Sequence, residues 1–125
     1  MKRVTGIGGI FFKCDDTKKM QKWYQKHLGI NITDSGAIFE WREKDNPKKI
    51  GQSVLSFFAK KTKYFKPSKK QFMINFRVEN LDALIKQLKK EKVLIPKEME
   101  VYDFGKFAWI MDPEGNKIEL WEPTD

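Results

Sequence analysis

The chain has little cysteine, histidine or arginine, and each shortage closes a route. Cys14 stands alone among 125 residues, so no disulfide forms within the chain, and a reducing cytoplasm is the expected setting. His27 is likewise single, which excludes a metal centre built on several histidines. The formal charge is +8, yet arginine occurs only at Arg3, Arg42 and Arg77. Base readout and bidentate phosphate contacts favour arginine, and the lysines are interleaved with Asp and Glu, so nucleic acid is not the expected partner. No run approaches the roughly 20 apolar residues of a membrane span. The opening MKRVTGIGGIFFKCDD carries an apolar run that charge ends too early for a secretory leader, so none is expected.

Aromatic residues, in contrast, are plentiful: ten Phe and four Trp can build a substantial core or an aromatic-lined cavity. A chain of this length is most economically one domain, burying roughly two-thirds of its unfolded surface. Its clearest local signal is the end, Lys106 to Pro123. Apolar runs Phe107 to Met111 and Ile118 to Trp121 flank Asp112-Pro113-Glu114-Gly115-Asn116. Pro113 presets φ, Gly115 accepts a positive φ, and Asp112 and Asn116 can bond the local backbone, so the spacing predicts a β-hairpin. Alternation places Lys117, Glu119 and Trp121 on one face of its second strand.

Val4 to Cys14 reads as a strand. Asp15, Asp16 and Thr17 offer caps to a helix with Met20, Trp23, Tyr24 and Leu28 at helical spacing and Gly29 as its stop. Ile30 to Thr33, Ala37 to Arg42 and Gln52 to Phe58 read as strands, and Glu43 to Lys49 as a charged loop. Lys60 to Lys70 has neither period and contains Pro67, so it reads as a linker. Gln71 to Val78 is then a strand, Asn80 caps a helix with Leu81, Leu84, Ile85 and Leu88 on one face, and a strand near Val93 to Val101 precedes the hairpin. The order β-α-β-β-β is thus written twice. Sliding the sequence by 64 positions brings Lys13 onto Arg77, Asp16 onto Asn80, Met20 onto Leu84, Ile30 onto Leu94, Gly51 onto Gly115 and Leu55 onto Glu119, as a duplicated unit requires.

The tandem module, the segment VTGIGGIFFKCDDTKKMQKWYQKHLGI and the ending DPEGN-K-IEL-WEP resemble the vicinal oxygen chelate superfamily, which includes glyoxalase I, bleomycin-resistance proteins and extradiol dioxygenases. The resemblance covers essentially the whole chain. It implies an α+β fold in which two tandem βαβββ modules, 1–60 and 71–125 joined by 61–70, form a curved eight-stranded sheet around a cleft. It also implies a homodimer. With the repeat offset, it puts the metal-ligand positions of metalloenzyme members on Gly9, Leu55, Met73 and Glu119. Only Glu119 of these can hold a hard or borderline ion, so no cofactor is expected and the metal site reads as degenerate.

If Gly9 and Met73 face the cleft, so do Phe11, Lys13, Asn75 and Arg77. The expected cavity holds Lys13, Asn75, Arg77 and Glu119 among Phe11, Leu55, Phe57, Met73, Trp109 and Trp121. Two arrangements stay open: the charged groups line a ligand site, or they neutralise one another in a closed interior while the aromatics are core. Tyr24 is expected to pack beneath the sheet, Trp41 to help close the pocket mouth, and Cys14 to be a buried thiol. The favoured function is a small-molecule-binding protein taking an aromatic or anionic ligand. The alternative is an enzyme, a glyoxalase-type lyase or isomerase ahead of a dioxygenase, using Glu119 as acid/base or residual metal ligand.

Overall fold

The computed structural model describes residues 2–124. Its first strand, β1 (Val4–Cys14), leads into α1 (Thr17–Leu28), then β2 (Ala37–Arg42) and β3 (Ile50–Ala59). The second half repeats the plan with β4 (Phe72–Val78), α2 (Leu81–Lys90), β5 (Glu100–Tyr102), β6 (Gly105–Met111) and β7 (Lys117–Pro123). All seven strands join one open, curved sheet in the order β2-β3-β1-β4-β7-β6-β5. Among the described residues, no helix is long and apolar enough to cross a membrane.

The repeat offset is visible where the halves meet. β1 and β4 run antiparallel, pairing Gly9 with Asn75 and Phe11 with Met73. A two-fold relation with an offset of 64 requires this, because each pair maps onto the other. Both helices start on matched caps: the Asp16 carboxylate accepts from the Lys19 N–H at 3.0 Å, and the Asn80 side chain from the Ala83 N–H at 3.1 Å. Gly29 ends α1 in the left-handed region at φ 66°, as its position predicts.

The helices cover one face of the sheet unequally. Leu81, Leu84, Ile85 and Leu88 of α2 are buried against Val78, Ala108 and Leu120. By contrast α1 buries no residue fully: Met20 and Tyr24 pack towards Ile32, Ala37 and Phe57, while Trp23 and Leu28 stay about half exposed. The opposite face carries no helix. By strand alternation and pairing it presents Phe11, Met73, Asn75, Arg77, Trp109, Glu119 and Trp121.

Three local expectations are corrected. Among the described residues seven strands form rather than eight, because the segment expected as a strand from Ile30 to Thr33 packs without a ladder: Ile32 is buried against Phe57, and Thr33 makes an isolated bridge to Gly36. The segment from Val93 pairs late, with β5 confined to Glu100–Tyr102; Pro96 has no N–H to donate to a ladder. Gly51 lies inside β3, unlike the turn residue Gly115. A Cβ on Gly51 would sit 2.2 Å from the Trp41 ring, so the absent side chain makes room for that indole.

Candidate functional site

Three strands and the connection between the modules converge on Glu119. Parallel pairing of β4 with β7 puts Asn75 beside it, and antiparallel pairing of β6 with β7 puts Trp109 on its other side. Tyr64 reaches in from the segment 60–70. The carboxylate is 2 % exposed and accepts three hydrogen bonds: Tyr64 Oη and Trp109 Nε1 (3.0 Å) donate to Oε1, and Asn75 Nδ2 (2.7 Å) to Oε2. A buried carboxylate is tolerable only with such partners. Burial first, and then the neighbouring Glu119 charge, hold the Tyr64 phenol well above its ordinary pKa, so it serves as a donor.

The cations expected beside Glu119 lie elsewhere. Lys13 Nζ sits 5.3 Å from the centre of the Phe65 ring. The Arg77 guanidinium lies between two indoles, 5.3 Å from Trp41 and 5.0 Å from Trp121, and donates to the Gln52 carbonyl at 3.2 Å. Among the described residues, neither forms an ion pair with Glu119. The closed, mutually paired trio Lys13–Arg77–Glu119 is therefore replaced by a carboxylate held by uncharged donors. Lys117, buried and donating to the Tyr64 carbonyl at 2.7 Å, is a nearby cation that the expected set omitted. Burial and then repulsion from Lys97 lower its pKa, against the upward pull of Glu119.

Leu55 and Phe57 do not join the site. β1 and β3 pair Phe11 with Ser56, whereas β4 and β7 pair Asn75 with Glu119. Asn75 less Phe11 is 64 and Glu119 less Ser56 is 63, so the structural counterpart of Glu119 is Ser56. That one-residue slip turns Leu55 and Phe57 to the helix side, where the Phe57 ring meets Tyr24 at 4.9 Å. Phe11, Met73 and Trp109 are on the expected face but pack together as core with Phe65. Cys14 also packs on the α1 side; burial, then Asp15 and Asp16, raise its thiol pKa.

Tyr64 and Phe65 were missed because they sit in a lysine-rich stretch without a period. The signal was the aromatic pair itself, which a solvated linker would expose at a cost. Beyond Glu119, on the Arg77 side, the face is open. A cavity of about 420 Å³ is lined by Glu40, Ile50, Gln52, Arg77, Phe104 and Trp121. Among the described residues, the buried Trp121 Nε1 and Asn75 Oδ1 have no hydrogen-bond partner.

The sequence profile of the Glyoxalase/Bleomycin resistance protein/Dioxygenase superfamily matches residues 6–120. The chain belongs to this superfamily. No curated protein matches it by sequence. Solved structures of superfamily-like fold include methylmalonyl-CoA epimerase from Mycobacterium tuberculosis, 19 % identical with a TM-score of 0.67, covering 100 % of this chain and 92 % of that one. A variant methylmalonyl-CoA epimerase from Streptomyces coelicolor, in complex with 2-nitronate-propionyl-CoA, is 16 % identical with a TM-score of 0.70, covering 98 % and 99 %. The Mn(II)-bound glyoxalase from Novosphingobium aromaticivorans is 16 % identical with a TM-score of 0.66, covering 98 % of this chain and 40 % of its own. At these identities the likeness is one of fold.

A divalent metal, which the superfamily fold suggests, does not fit the residues at the matching positions. Gly9 offers no side chain, and a Cβ there would lie 2.9 Å from the Phe11 ring and 3.0 Å from the Val54 carbonyl. Met73 is embedded in the aromatic cluster, and Glu119 has both oxygens committed. No three His, Cys, Asp or Glu side chains group together among the described residues. A site of this kind generally needs about three such ligands.

Proposed function

We propose that this chain is a small-molecule-binding member of the superfamily, cytoplasmic and working without a divalent metal, whose ligand is aromatic or anionic. The observation that carries this reading is Arg77, held between Trp41 and Trp121 on the wall of the open cavity. A guanidinium can share charge-assisted donors with a carboxylate, and the Trp121 indole on the cavity wall supplies flat apolar surface for a ring. Titration calorimetry with benzoate and phenylacetate tests it. Binding is expected in the presence of EDTA as well as without it, and Arg77→Gln weakens it about 10-fold or more, the scale of one hydrogen bond to a charged group. Equal affinity in Arg77→Gln, or no binding to the parent protein, removes the reading.

A second reading, an isomerase- or lyase-type enzyme using Glu119, draws on the Tyr64 hydroxyl bonded to that carboxylate, a pair able to move a proton. Its measurement is solvent deuterium entering phenylacetate beside the carboxylate; exchange that survives in Glu119→Gln counts against it. Homodimerisation is proposed with either reading. Ile10, Phe12 and Phe72 are exposed on the face of β1 and β4 away from Glu119. Sedimentation at the mass of one chain would remove the dimer.

A further inference from the structure

Residues 60–70 divide into two sets of side chains. Lys60, Lys61, Lys63, Lys66, Lys69 and Lys70 are exposed, whereas Phe65 is 0 % exposed and Ser68 is buried; Tyr64, 37 % exposed, lies at the rim between them. Phe65 stands edge-on to Phe58 at 5.2 Å within the cluster of Phe11, Met73 and Trp109. The Tyr64 ring stacks on Phe58 at 5.6 Å, stands at 90° to Trp109, and its hydroxyl caps Glu119. The part of the helix-free face next to Glu119 is thus filled by two rings from the chain's own connection, while the Arg77 part is open.

We infer that this connection is a lid, with Phe65 and Tyr64 standing where the ring of an aromatic ligand goes, and that the ligand reaches Glu119 by exchanging with them. This rests on the aromatic-ligand reading above and adds how access is controlled. Three features make the exchange feasible. The walls around Phe65 are Phe11, Phe58, Met73 and Trp109, which receive an incoming ring as they receive Phe65. The backbone hydrogen bonds of the segment close local turns, Thr62 to Ala59, Lys66 to Lys63 and Ser68 to Phe65, so lifting it breaks no ladder. Its polar ties to the rest of the fold, among the described residues, are few and at its edges or surface: the Tyr64 hydroxyl on Glu119, Lys117 on the Tyr64 carbonyl, an exposed ion pair of Lys60 with Asp15 at 3.5 Å, and the Lys13 ammonium over the Phe65 ring. Lysines crowded along one short segment also repel one another, which favours release at low salt.

Trypsin cuts after lysine, so the lid reports its own opening without any ligand. In the full-length protein, cleavage within 60–70 is expected at least 10-fold faster than cleavage in β4 or α2. Tyr64→Phe, which removes the bond to Glu119, is expected to speed lid cleavage further while cleavage elsewhere stays unchanged. Phe65→Ala is expected to bind phenylacetate about 10-fold more tightly than the parent protein. Lid cleavage at the same rate as cleavage in β4 or α2, or unchanged phenylacetate affinity in Phe65→Ala, overturns the lid and leaves the Arg77 titration standing. If phenylacetate does not bind the parent protein, the aromatic-ligand reading and the exchange fail together.

Discussion

Glu119→Ala is expected to lower the stability of the fold by about 3–5 kcal/mol, and Glu119→Gln by only about 1–2 kcal/mol, in denaturant unfolding. The alanine removes the acceptor of three donors. Tyr64 can turn to solvent with its segment, but the Asn75 amide and the Trp109 indole are enclosed and cannot be rehydrated, and each abandoned buried donor costs roughly 1–3 kcal/mol. Glutamine keeps one oxygen for Tyr64 and Trp109. Its NH₂ then faces Asn75, which can turn over to present Oδ1, the atom that has no partner in the native arrangement. The Asn75 NH₂ loses its acceptor in that exchange, which leaves the residual cost. Equal losses for the two variants would show that charge, rather than hydrogen-bond satisfaction, holds this interior together. Against a typical total of about 5–15 kcal/mol, the alanine variant should be marginally folded at best.

Leu81→Ala should cost about 2–5 kcal/mol, whereas Leu28→Ala should stay within about 0.5 kcal/mol, although both are leucines on amphipathic helices. Leu81 is 0 % exposed, packed in the cluster that joins α2 to β4, β6 and β7, and its N–H donates to Glu122 Oε1 at 2.7 Å. Shortening it leaves a cavity in a layer that cannot collapse around the pinned helix start. Leu28 is 56 % exposed at the end of α1, so little apolar surface returns to water. Thermal melts give the same comparison: on the order of 10 °C lost for Leu81→Ala and little change for Leu28→Ala. A large loss at Leu28 would mean that α1 is covered in solution, as a second copy on that face would cover it.

The two leucines also show where a sequence pattern stops. Both helices carry an apolar stripe, and the stripe predicts a buried face; only the sheet beneath decides how much of it is covered. Across α2 lie Val78, Ala108 and Leu120, and the stripe closes. Beneath α1 the partners reach Met20 and Tyr24 but leave Trp23 and Leu28 outside. The site follows the same logic. Trp109 and Glu119 share a face because alternation within the hairpin is local, and Asn75 joins them because its face was carried from Met73 by the offset, which holds between β1 and β4. Leu55 and Phe57 were misplaced because their face rested on carrying a single offset through both halves, and one extra residue before β3 changes the parity. Gly9 and Met73 lie on β1 and β4, where the offset holds.

What the sequence by itself determined is local: the strand and helix periods, the caps Asp16 and Asn80, the turn at Asp112–Asn116, and a duplicated plan that points to the superfamily. These depend on residues a few positions apart, whose contacts the chain makes wherever it lies. Tertiary structure alone decided that Ser56 rather than Leu55 faces the site, that Arg77 goes to the two indoles, and that Tyr64 closes over Glu119. Tyr64 and Glu119 are 55 residues apart, with no period to link them. They meet because a buried carboxylate needs donors and an aromatic pair needs cover, and one path of the connecting segment satisfies both.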